Sequence, residues 1–207
     1  IGLGRFINQS NKFKFFENIF FGFIFLAFIN TFIHFFTHLS LLLNIFVFLF
    51  GLLIFYKENL IDKEVSSKKF FYLSIIIALI PIFISQKYHE DLGYYHLPYA
   101  LLLLEEKIIF GIANTNITYV YNSIWLNIYP SFFLGDRNYD FLTLSSFILF
   151  VIFVIYLVSN VIKDNRWCLS KLFSILLIFY FILKFTRISE YGVDLPSVIF
   201  GTLSILY

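Results

Sequence analysis

The chain has 207 residues, a formal net charge of +2 and a mean hydropathy of +0.85, with 31 Phe and 14 Tyr. These values exclude an ordinary soluble domain and place the sequence in the polytopic membrane class. The basic residues are scattered rather than gathered in a stripe, which excludes a nucleic-acid partner, and the single cysteine, Cys168, excludes an intrachain disulfide and a Cys-rich metal site.

Apolar runs near the roughly 20 residues that cross a bilayer occupy about 19–36, 39–56, 70–85, 141–162 and 172–185, and a sixth begins near 197. They predict an all-α, polytopic transmembrane helix bundle of about five to six spans in a single transmembrane domain, residues 1–207. The absence of Met and the opening IGLGRF give the expectation of a fragment of a longer protein. Arg5, Lys12 and Lys14 precede an apolar segment too long for a cleavable signal, so the first run is expected to stay as a helix. Asn30 and Asn44 inside the runs are expected as interhelical hydrogen-bond partners. His34 and His38, one helical turn apart, have the spacing to share a metal. They lack a third fixed ligand, and packing or interfacial roles are the expectation; no metal is assigned.

Basic residues in short loops stay cytoplasmic. Ten of the 15 fall on one side, from Arg5 through Lys57 and Lys68 to Lys171; Lys87, Lys107, Arg137, Lys184 and Arg187 fall on the other. This orients the chain as a multi-pass protein of a bacterial inner membrane, with residues 86–140 and 186–197 extracytoplasmic.

The longest outward stretch, 86–140, is polar and aromatic. Pro98 suits the first turn of a helix, and the run from Leu97 to Lys107 is too short to span. After the turn signals Gly111, Asn114 and Asn116, the stretch Thr118 to Phe133 carries Tyr119, Tyr121, Trp125 and Tyr129, rings that favour the headgroup region. Two interfacial helices are predicted, the second ended by Pro130 or Gly135. The Asn116-Ile-Thr118 sequon is given no role.

His89, Glu90 and Asp91 directly follow a transmembrane run, where burial would raise a carboxylate pKa toward the range of a general base. The plain alternative is a helix cap by Asp91 or Glu90. Glu105 and Glu106 fit a solvated helix face. Glu190 and Asp194, with Arg187 nearby, form a second outward acidic cluster, equally readable as a loop ion pair. Arg187, Arg137 and Lys107 are the cations available to an anionic group such as a phosphate, or to snorkelling. His96 joins His89 as a candidate substrate-binding histidine.

The segment HEDLGYYHLPYALLLLEEKIIFGIANTNITYVYNSIWLN, followed by RISEYGVDLPS, resembles a family of bacterial polytopic membrane proteins of unknown function, similar in layout to GT-C membrane glycosyltransferases. The resemblance covers about residues 5–200 and rests on the Tyr-His-Leu-Pro and Asn-Ser-x-Trp elements. It implies transfer of a sugar from a polyprenyl-phosphate donor to a cell-surface glycan or lipid acceptor at the extracytoplasmic face. Asp91 would be the base with Glu90 its neighbour, Glu190 and Asp194 would complete the site, and Arg187 or Arg137 would hold the donor phosphate. In those enzymes the acidic loop follows the first transmembrane helix, whereas here three apolar runs precede it. No cofactor is implied, and the partners are membrane lipid and the lipid-linked donor. The alternatives are a transporter or flippase subunit, whose charges belong near the midplane, and a non-catalytic membrane scaffold.

Overall fold

A computed structural model describes residues 1–7, 15–57, 68–85, 90–121, 123–132, 143–163, 167–184 and 192–206, which form an all-α structure with no strand among them. The α-helices are α1 (Gly2–Ile7), α2 (Phe15–His34), α3 (Leu41–Lys57), α4 (Lys69–Ile84), α5 (Leu97–Glu105), α6 (Leu144–Lys163), α7 (Leu169–Leu183) and α8 (Asp194–Leu206). Between α4 and α6 lie a π-helical turn, Leu92–His96, and three 3-10 segments, Ile112–Asn114, Ile117–Tyr121 and Ile124–Phe132. The predicted apolar runs are thus helices, with ends displaced by a few residues. Phe15–His34 and Leu144–Ile162 are long and apolar enough to cross a membrane, and four shorter apolar helices accompany them.

The chain divides into two compact units, Ile1–Ser66 with His89–Leu142, and Ser67–Tyr88 with Thr143–Tyr207. In the second unit α6 is the central element, packed by α4, α7 and α8. Its leucines and phenylalanines explain this: Leu149, Phe153 and Leu157, four residues apart, are fully buried. Polar pairs fix the neighbours in place. The Tyr72 hydroxyl of α4 meets Ser159 Oγ at 2.9 Å, and Asn160 Nδ2 donates to Ser170 Oγ and Ser174 Oγ of α7 at 2.9 and 2.8 Å.

In the first unit α1 lies across α2 and α3, and the 3-10 helix Ile124–Phe132 packs against α2, α3 and α5. The opening GLGRF, unassigned from sequence, is helical because its glycines allow backbone-to-backbone approach. A Cβ at Gly2 would run into the Gly51 carbonyl of α3, and one at Gly4 into the Asn18 carbonyl of α2. Along the whole of α3 only Asn44 is buried, while Phe46, Phe48 and Leu53 are 63%, 67% and 67% exposed. That surface is the opposite of an amphipathic soluble helix.

The stretch after Gly111 differs from the expected surface helix. Gly111 takes φ of 80°, the left-handed conformation that suits glycine, and opens the segment Ile112–Asn114. Asn116 Oδ1 then accepts from Thr118 N at 3.0 Å and Thr118 Oγ1 at 2.6 Å, so the sequon's side chains close a local turn. Beyond it the chain is 3-10 rather than α, and Pro130 lies inside the last segment instead of ending it. Trp125 and Tyr129, expected at headgroup level, are 5% and 1% exposed because they pack between helices of the unit.

Candidate functional site

Glu90 and Asp91 begin the helical stretch that continues through the π turn into α5, with Pro98 in the first turn of α5 as its fixed φ favours. Asp91 has helical angles, φ −59° and ψ −24°, and its side chain makes no capping hydrogen bond. The cap reading of Asp91 therefore does not hold. Glu90 is exposed and Asp91 half-buried. His96, the last residue of the π turn, is buried, its ring centroid 4.2 Å from that of Tyr95. It lies inside the unit rather than on an open face. Tyr99, one turn into α5, is buried with its ring 6.0 Å from Tyr119, and burial pushes its phenol above the ordinary value.

Four other predicted site residues, His89, Arg137, Arg187 and Glu190, lie outside the described residues. Asp194 belongs to the second unit, exposed in the first turn of α8, where a carboxylate complements the helix dipole. Glu105, Glu106 and Lys107 are exposed at the end of α5, as a solvated face requires.

His34 and His38 lie in different surroundings. The helix stops at His34, so the two are not on one helical face, and His34 is buried while His38 is exposed. His34 Nε2 donates to the Glu106 carbonyl at 3.0 Å, and Ile108 N donates to the His34 carbonyl at 2.9 Å. Leu39 N donates to the Leu103 carbonyl at 2.9 Å, so the turn between α2 and α3 is tied to α5 and the chain after it. Among the described residues no group of three His, Cys, Asp or Glu could hold a metal ion.

A polar seam runs through the first unit, and its proton positions follow from chemistry. Asn44 Nδ2 lies 3.2 Å from the Leu39 carbonyl and 3.0 Å from the Pro130 carbonyl, which can only accept, so the amide orientation is fixed. Asn44 Oδ1 accepts from Ser131 Oγ at 3.1 Å, which uses the Ser131 proton. Ser131 Oγ can then only accept from Asn30 Nδ2, at 2.7 Å, and Asn30 Nδ2 also donates to the Asn127 carbonyl at 2.7 Å. Thr31 Oγ1 donates to the Ala27 carbonyl at 2.7 Å and accepts from Asn127 Nδ2 at 2.6 Å. Asn30 and Asn44 are thus hydrogen-bond partners as expected, but of a 3-10 segment rather than of each other's helices. They satisfy backbone carbonyls that a 3-10 helix leaves open, each of which would cost about 1–3 kcal/mol unpaired in the interior. Thr31, Asn127 and Ser131 were not singled out from sequence; the signal was Asn and Ser flanking Pro130 in the otherwise apolar IWLNIYPSFF.

A family model described as "Domain of unknown function (DUF8201)" matches residues 1–207. The chain belongs to that family. No curated protein and no solved structure matches it. The match agrees with the expectation of a domain of unknown function.

This DUF8201 chain also has a groove of about 300 Å³ in its first unit. Its walls include Leu3, Val47, Phe48 and Phe55, and its polar lining is Asn44 and Ser131 of the seam. Both are already engaged with each other, so the groove is chiefly an apolar surface.

Proposed function

We propose that the chain is part of a polytopic inner-membrane protein that transfers a sugar from a polyprenyl-phosphate donor to a surface glycan or lipid at the extracytoplasmic face, with Asp91 as the base. The bundle reading draws on the apolar exposure of its helices. Besides α3, only Tyr72 is buried along α4, and Phe70, Ile77 and Ile84 are 76%, 58% and 74% exposed. Water would penalise such a surface, and lipid accepts it.

The observation that carries the activity is the π-helical turn at the acidic motif. π turns are rare and recur at functional sites, because their strain must be outweighed by what the widened turn presents. Here the turn follows directly on Glu90 and Asp91, and Asp91 is half-buried. Such a base would take the acceptor's proton as the sugar leaves the donor phosphate. Sequence position alone assigns the phosphate to Arg137 or Arg187.

Surface glycan profiling tests this in cells carrying the full-length protein, wild type against Asp91→Asn, with membrane levels matched. Loss of a glycan product in the variant is the expected result. An unchanged profile, where deletion of the gene does change it, removes Asp91 from the mechanism.

Transport is the second reading, favoured by the buried polar seam where a 3-10 segment enters between apolar helices, a construction that transporters use for ions and polar substrates. Under it Asp91→Asn is tolerated and changes at Asn127 are not.

A further inference from the structure

We infer that the polar seam between α2 and the 3-10 helix Ile124–Phe132 binds a monovalent alkali cation, Na+ or K+. The hydrogen-bond directions leave Asn30 Oδ1, Asn127 Oδ1 and His34 Nδ1 buried without a partner among the described residues. All three are acceptors: two amide oxygens, and the ring nitrogen opposite the donating Nε2. They belong together. Asn30 Nδ2 holds the Asn127 carbonyl, Asn127 Nδ2 holds Thr31 Oγ1, and His34 lies one turn beyond Asn30 on the same face of α2. Asn30, His34 and Asn127 are 0%, 1% and 5% exposed.

A buried cluster of acceptors calls for a partner that brings positive charge or protons. A lone water would satisfy two of them but add lone pairs that need donors of their own, whereas a cation needs only oxygens. The Asn127 and Pro130 carbonyls and the Ser131 and Thr31 hydroxyls each retain a lone pair within the same hydrogen-bonded seam. The seam residues joined by these hydrogen bonds include no carboxylate, so the field is too weak for a divalent ion, which takes carboxylate ligands. Hard neutral oxygens match an alkali ion. The carboxyl-terminal end of α2 adds its negative dipole. The site is independent of Asp91 and of glycosyl transfer.

The test uses the full-length protein in nanodiscs, unfolded thermally in NaCl, KCl or choline chloride at equal ionic strength. Ten times the dissociation constant of the bound ion should raise the melting temperature by roughly 3 °C over choline. Asn127→Leu should abolish that difference, and Asn160→Leu in the second unit should keep it. Equal melting in all three salts overturns the inference, leaving the acceptors to water. A cation response that survives in Asn127→Leu also overturns it, because the ion then binds elsewhere. Should Asn127→Leu fail to fold, a binding titration of the wild type with radioactive sodium decides: saturation near one ion per chain, competed by K+ and not by choline, is expected, and absence of saturable binding refutes the site.

Discussion

Trp125 stacks on Phe23, with ring centroids 5.7 Å apart and planes inclined by 30°. Phe23 precedes the end of α2 at His34 by eleven residues, roughly 16 Å along the axis. The 3-10 segment therefore descends beside α2 to about the middle of that helix. Helices of the unit surround the segment there, and side-chain amides satisfy its carbonyls.

The two tryptophans then differ in a way fluorescence can read. Trp125 is 5% exposed and Trp167 is 78% exposed. With Trp167→Phe, the remaining Trp125 should emit to the blue and resist both an aqueous quencher and brominated lipid. With Trp125→Phe, the remaining Trp167 should be quenched readily. Strong lipid quenching of Trp125 would contradict its packing against Phe23.

Asn44→Leu tests the seam. The substitution removes the donors to the Leu39 and Pro130 carbonyls and the acceptor of Ser131, leaving buried groups unpaired. A loss of about 2–3 kcal/mol is expected in reversible unfolding from mild detergent. Asn160→Leu removes partners only from serine hydroxyls, which can turn to other acceptors, and should cost about 1 kcal/mol. Equal effects would show that the carbonyls of the 3-10 segment have another partner.

How far these features were legible differs with the residue. The apolar runs gave the helices because an unbroken apolar run of that length satisfies its own backbone groups only as a helix. Asn30 and Asn44 stood out as polar residues inside such runs. Trp125 did not: an amphipathic ring carries the same sequence signal whether it meets headgroups or stacks on Phe23. Nor did the end of α2 at His34, which is set by bonds to Glu106 and Ile108, more than seventy residues on. Glu90 and Asp91 were marked by sequence, yet the π turn behind them was not, since LGYYH has no pattern distinct from an α-helix.

Gly4→Ala should destabilise the first unit by about 1–3 kcal/mol, an overpacking penalty, because the added carbon meets the rigid Asn18 carbonyl and not a flexible side chain. Gly201→Ala, where a Cβ meets nothing within 4 Å, should be neutral or slightly stabilising through helix propensity. Comparing the two melting curves checks it; a neutral Gly4→Ala would mean that α1 does not dock on α2.

Alkaline stability should report Tyr99. Burial raises its pKa above the ordinary value of about 10. The folded protein then holds that proton more tightly than the unfolded chain. The stabilisation is complete below pH of about 10 and is lost as pH rises through the folded pKa. Tyr99→Phe should flatten this part of the stability profile in a denaturant titration stepped across alkaline pH. An unaltered slope would place the ring in water.

The π turn also acts as a phase setting. A π segment holds one residue more than the α-helix it interrupts, and each α-helical residue turns the chain by about 100°. Deleting Gly93, whose absent Cβ has no neighbour within 4 Å, would return the stretch to α geometry with little loss of packing. Glu90 and Asp91 would then swing about a quarter-circle around the axis relative to Tyr99 and Leu103. The bearing of the carboxylates is thus held by a single residue of helical register, separately from their chemical identity.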